Sequence, residues 1–267
     1  MNKKLPNLEG KIALITGASS GLGEKFAYLL AEQGCGLVLV ARRQEKLEEL
    51  KKALKEQYHI AVVTIVCDLA LPAAAETLVD QLNFLGLKID IFINNAGVGV
   101  GGAFTQNSVQ DLKNMLNLNV VNQAILTNLI AKEMVQRKNG FILLVSSIGG
   151  EIITPQLLAY CGTKAFVTSL GVGLHAEVAA YNVHCTTLAP GSMMTGFFSR
   201  AGITRLALAQ RVTALDPEKV ALTGLIGLFA NKSYVIPGWL NKLAVFTSRF
   251  LPHSWGPIIT KKILERY

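Results

Sequence analysis

The 267-residue chain is 51% hydrophobic and only 16% charged, with a formal net charge of +8. That balance excludes a disordered chain and fits one α/β unit whose sheet is covered on both faces. The four cysteines (Cys35, Cys67, Cys161, Cys185) lie far apart, and the four histidines lack ligand spacing, which points to reduced thiols and no metal.

The segment from Met1 to Gly10 carries Lys3 and Lys4, and only a short apolar run follows before Thr16-Gly17, so it does not read as a signal peptide. The longest uncharged apolar run, Val220 to Ala230, falls short of the roughly 18 residues that span a bilayer. A cytoplasmic protein is expected. Over the first two thirds of the chain, β-branched apolar runs alternate with stretches of helical periodicity. Strands are predicted at Lys11–Ile15, Leu37–Val40, Val62–Val66, Ile89–Ile93, Phe141–Val145 and Val183–Leu188. Helices are predicted at Leu22–Gln33, Gln44–Gln57, Ala73–Phe84, Val109–Arg137 and Gln156–Ala180, with Asn107-Ser108 capping the fourth. This alternation predicts a single-domain, doubly wound parallel sheet with helices on both faces and ligands at the carboxyl ends of its strands. The expected domain runs 1–267, with a core from about 8 to 195 and a covering and C-terminal helical extension from about 196 to 267.

Directly after the first strand stands Thr16-Gly17-Ala18-Ser19-Ser20-Gly21-Leu22-Gly23, leading into a helix. Gly17 suits a tight turn, Gly21 lets backbone N–H groups approach a pyrophosphate, and Gly23 permits close packing of helix on strand. Ser19, Ser20 and Leu22 fall within the same loop. At the end of the second strand, where NAD enzymes present a carboxylate to the ribose, the sequence has Ala41-Arg42-Arg43. A guanidinium there favours a 2′-phosphate and so NADP(H) over NAD, with Arg42 the stronger candidate and a solvated helix face the alternative. Asp68, past the third strand, fits either an adenine contact or a helix cap. Asn94-Asn95-Ala96-Gly97 follows the fourth strand, its small residues admitting a cofactor close to the backbone; Asn94, Ala96 and Gly97 are the candidates.

Tyr160 and Lys164 lie four apart on a predicted helix and so share one face, with Ser147 thirteen residues upstream of the tyrosine at the end of strand five. A neighbouring ammonium favours the phenolate, so Lys164 is expected to draw the Tyr160 pKa down and make it an acid/base. Ser147 would hydrogen-bond a substrate oxygen as charge develops on it.

Taken together, the G-x-x-x-G-x-G loop, the N-N-A-G element and Ser147 with Tyr-x-x-x-Lys resemble the short-chain dehydrogenase/reductase family, over Lys11 to about Thr195. The resemblance implies a Rossmann-like fold and hydride transfer between nicotinamide and a carbonyl or alcohol carbon. It makes Asn119 a fourth catalytic position that holds water beside Lys164. It also makes Pro190-Gly191 and Thr195 a nicotinamide-cupping segment, and it implies a homodimer or homotetramer. An NADP-binding sensor without turnover is the rival reading.

Beyond Thr195 the common family ending is absent. Met193, Met194, Phe197 and Phe198 suggest an apolar substrate pocket or ordinary helix packing. The region from Asn241 onward resembles reductases grouped with D-alanine-transfer oxidoreductases. Lys232 to Tyr267 holds six basic residues and one acidic residue, interleaved with Trp239, Leu240, Val245, Phe246, Phe250, Leu251 and Trp255. Such a tail docks on its own subunit or in an oligomer contact, the preferred reading, or rests at an anionic membrane interface. No recognition motif for nucleic acid accompanies the charge.

Overall fold

The computed structural model describes residues 5–193, 214–252 and 254–265. Its strands are β1 (Ile12–Thr16), β2 (Gly36–Ala41), β3 (Val62–Val66), β4 (Ile91–Asn94), β5 (Gly140–Val145), β6 (Val183–Leu188) and β7 (Tyr234–Val235). They form one parallel sheet in the order β3-β2-β1-β4-β5-β6-β7, with Leu14 in register with Val38 on one side and Phe92 on the other. The crossover direction reverses between β1 and β4, and in such sheets ligands bind at that switch point.

Helices α1 (Gly21–Ala31), α2 (Gln44–Tyr58) and α7 (Pro217–Phe229) cover one face; α3 (Ala74–Phe84), α5 (Asn122–Arg137) and α6 (Leu158–Val178) cover the other. Strand alternation sorts the core between them. Ala13, Ile15, Ile91 and Ile93 pack on Phe26, Leu47 and Leu225, while Leu14, Phe92, Ile142 and Leu144 pack on Leu78, Leu126 and Val167. Because both faces are buried, the strands read as continuous apolar runs, which is why their positions were visible in the sequence.

One local feature departs from expectation. The helix foreseen over Val109–Arg137 is α4 (Val109–Leu116) and α5 separated by a turn of π-helix at Asn117–Val121. Ser108 does cap α4, its hydroxyl accepting from Asp111 N–H. After β7 come α8 (Trp239–Ser248) and α9 (Trp255–Glu265), the helical extension.

Candidate active site

A cavity of about 620 Å³ opens at the carboxyl ends of β1, β2, β4 and β5. Its walls include Gly17, Ser19, Ser20, Gly21, Leu22, Arg42, Arg43, Asp68, Ala96, Gly97, Ser147, Tyr160, Lys164, Pro190 and Gly191. Sequence positions spread over most of the chain are thereby brought to one surface, because each follows a strand whose end faces the switch point.

At the β1 end, Gly17 adopts φ +67, and a Cβ there would press on the Ala96 backbone at 3.0 Å. Gly23 lies behind the loop rather than on the cavity, where a side chain would run into the Gly17 carbonyl. Thr16 knits this loop to the next: its hydroxyl accepts from Asn95 N–H at 2.9 Å and Ala96 N–H at 3.0 Å, and donates to Asn94 at 3.2 Å. Asn94 is buried in that network and bonded to Gln123 and Thr127, so of the two asparagines it is Asn95 that lines the cavity. The expectation that Asn94 lines the cavity is thus corrected: as the last residue of β4 it turns into the buried layer under α5, and its neighbour Asn95 takes the cavity wall.

The arginines divide their work. Arg43 folds over the glycine loop, donating to the Ser19 hydroxyl at 3.0 Å, the Ser20 hydroxyl at 3.0 Å and the Ser19 carbonyl at 3.3 Å. Arg42 lies 3.8 Å from the Asp68 carboxylate, whose other oxygen accepts from Ala70 N–H. Asp68 thus ties the turn after β3 to the end of β2.

At the β5 end, Ser147 accepts from Gly149 N–H and bonds the Tyr160 phenol. Lys164 is 3% exposed; its Nζ donates to the Val145 carbonyl at 2.9 Å and stands 5.8 Å from the Tyr160 ring centroid. Here one expectation is corrected. Burial pushes the Tyr160 phenol up from its ordinary range, with Ser147 pulling partly back, and pushes Lys164 down to about 8. Loss of hydration penalises both charged forms, and it outweighs the attraction between ammonium and phenolate that the spacing suggested.

Asn119 sits in the π turn, fully buried, and its amide clamps Val98: Oδ1 accepts from Val98 N–H at 3.0 Å and Nδ2 donates to Val98 O at 2.8 Å. Nδ2 also reaches the Thr163 hydroxyl at 3.1 Å, one residue before Lys164. A Cβ on Gly97 would lie 3.3 Å from Lys164 Nζ and 3.4 Å from Asn119 Oδ1, so that glycine keeps the three elements together. Thr195, Met194, Phe197 and Phe198 lie outside the described residues.

A glycine-lined phosphate loop, a basic pair at the end of β2 and a Ser/Tyr/Lys cluster on one cavity define a dinucleotide-dependent oxidoreductase class. The chain matches the short chain dehydrogenase family over residues 11–205 and belongs to it. It is 34% identical to the very-long-chain 3-oxoacyl-CoA reductase-B of Danio rerio, covering 87% of this chain and 75% of that one. Among solved structures it is similar to a short-chain dehydrogenase from Sphingobium yanoikuyae in complex with NADPH (TM-score 0.81, 29% identity, 90% of this chain and 93% of that one). It is also similar to a short chain dehydrogenase/reductase from Burkholderia phymatum in complex with NAD (TM-score 0.82, 26% identity, 90% and 92%).

Proposed function

We propose that this protein uses NADP(H) to interconvert a carbonyl and an alcohol on a fairly apolar substrate, with residues 1–267 acting as one catalytic unit. The observation that carries the reading is the placement of Ser147, Tyr160 and Lys164 on a cavity that also reaches Arg42 and Arg43. Structural relatives hold either NADPH or NAD, so coenzyme choice rests on this chain's own residues. Two guanidinium groups and the Ser19 and Ser20 hydroxyls gather where a 2′-phosphate would lie, with Arg43 the leading contact because it already spans the loop.

The bound coenzyme supplies or accepts the hydride. Gly17, Gly21 and the first-turn N–H groups of α1 would hold its phosphates, Ala96 and Gly97 would let it lie close to β4, and Pro190-Gly191 would stand against its nicotinamide end. Ser147 donates a hydrogen bond to the substrate oxygen and Tyr160 delivers the proton to it, or removes it in the oxidation direction. Lys164 places a positive charge beside the developing oxyanion. Asn119 acts as a positioning residue, holding Val98 on the cavity wall and bonding the Thr163 hydroxyl on the helix that carries Tyr160 and Lys164. The apolar surfaces of Val98, Ile148, Leu157 and Met193 favour an apolar ketone, aldehyde, steroid-like or 3-oxoacyl compound.

The test is coenzyme oxidation followed optically against a panel of such carbonyl compounds. NADPH-dependent turnover that Tyr160→Phe abolishes, while coenzyme still binds, is the expected result. Arg43→Ala should weaken NADPH by about 10- to 100-fold, as for a lost bond to a charged group, and NADH far less. Equal losses for both coenzymes would place the 2′-phosphate contact elsewhere, and tight NADPH binding without turnover would favour a sensor.

A further inference from the structure

We propose that α8 and α9 form a peripheral docking surface for an anionic lipid bilayer, placed beside the substrate end of the cavity. A surface helix normally turns its apolar stripe inward. Helix α8 does so only with Val245, which is 2% exposed and lies in line with Asn241 and Ser248. A second stripe points the other way: Trp239, Leu243 and Phe246 follow i, i+4, i+7 spacing, Phe250 stands in the turn just past the helix end, and the four are between 50% and 74% exposed. Phe246 and Phe250 pack edge to face at 5.1 Å, which makes the stripe continuous. On α9, Trp255, Ile258 and Ile259 repeat the pattern at i, i+3, i+4, again exposed, while Thr260 turns inward.

Charge identifies the occupant. Lys242 and Arg249, seven apart, form an exposed basic row next to the α8 stripe, and Lys261 and Lys262 are exposed on α9. Exposed aromatic and aliphatic side chains flanked by cations, with tryptophans at the helix starts, match the interfacial region of an anionic membrane. A second copy of the chain fits worse, because in a two-fold contact the patch meets itself and the Lys242 and Arg249 rows approach like charges.

The surface is tied to the active-site wall. Arg249 lies 3.9 Å from Glu151, whose carboxylate also accepts from the Tyr234 hydroxyl, and Thr260 donates to the Ile153 carbonyl at 3.0 Å. Glu151 and Ile153 belong to the segment that contributes Ile148, Gly149 and Thr154 to the cavity. A lipid-dissolved substrate would therefore meet the cavity at the surface from which it arrives.

Trp239 and Trp255 are the only tryptophans in the chain, so intrinsic emission reports on these two helices directly. The experiment adds the full-length protein to vesicles of phosphatidylcholine alone or mixed with phosphatidylglycerol, and measures emission and flotation. The expected outcome is a blue shift and co-flotation with phosphatidylglycerol vesicles that weaken as salt is raised. Lys242→Glu and Lys262→Glu should each reduce binding roughly fivefold or more, following about 1 kcal/mol per basic side chain near such a surface. Phe246→Ser with Phe250→Ser should abolish it, without changing thermal melting or turnover of a small water-soluble ketone, which separates this proposal from the assignment of the active site. Absence of flotation at low salt, or equal binding to both vesicle types, overturns the proposal. So does a vesicle-free oligomer that the double phenylalanine variant breaks into smaller species, since a second copy would then cover the patch.

Discussion

Tyr160 and Lys164 show how burial sets the chemistry of single residues. Both are nearly inaccessible to solvent, and desolvation opposes charge on each. The phenol therefore stays protonated through the neutral range, the form that a carbonyl reductase needs as proton donor. Lys164, pushed down to about 8, carries its charge below that pH and loses it as pH rises through it. Reduction by the cofactor-loaded enzyme should accordingly hold steady in kcat/KM below about pH 8 and fall above it, whereas oxidation, which starts from the phenolate, should climb with pH. A pH profile of the reduction measured in both wild type and Lys164→Met checks this. If the alkaline fall persists in Lys164→Met, another group is responsible. The residue types and spacing of this cluster were plain in the sequence, but the direction of the tyrosine shift was not. Spacing shows which groups are neighbours, not how much water they lose.

Among the elements, α6 carries Tyr160 and Lys164 and must lie flat on β5 and β6. Two of its glycines look alike in the sequence and differ in the fold. A Cβ on Gly171 would strike the Thr187 hydroxyl and come within 3.2 Å of Leu144, whereas one on Gly173 meets nothing within 4 Å. Gly173→Ala should therefore stabilise by about 0.5–1 kcal/mol through helix propensity alone. Gly171→Ala should lower the melting temperature and displace Tyr160 and Lys164, seen as lost turnover. Thermal unfolding of the two variants compares them directly, and equal melting temperatures would contradict the packing assigned to Gly171. The π turn at Asn117–Val121 is the other element-scale result. Its apolar periodicity continues across α4 and α5, so sequence pattern reads one helix. The inserted residue becomes visible only when Asn119 is seen gripping the Val98 backbone.

At the scale of the whole molecule, the sheet is the frame on which the site depends. Phe92 is fully buried in its centre, between β1 and β5 and beneath the α3, α5 and α6 layer. Phe92→Ala should cost about 3–5 kcal/mol. For a chain of this size that is roughly a 6–20 °C fall in melting temperature. A fall of only a degree or two in calorimetry would mean that the core can collapse around the deletion.

The sequence by itself determined the parallel sheet, its helices, the glycine loop, the basic pair after β2 and the Ser/Tyr/Lys triplet. These follow from local periodicity and from residue types whose chemistry travels with them. Tertiary structure alone decided that Asn95 rather than Asn94 faces the cavity, that Arg43 spans the loop while Arg42 turns to Asp68, and that α8 keeps one apolar stripe outside. Each of these depends on which face a side chain presents once distant segments have packed against it, and that information is not carried by neighbours in the chain.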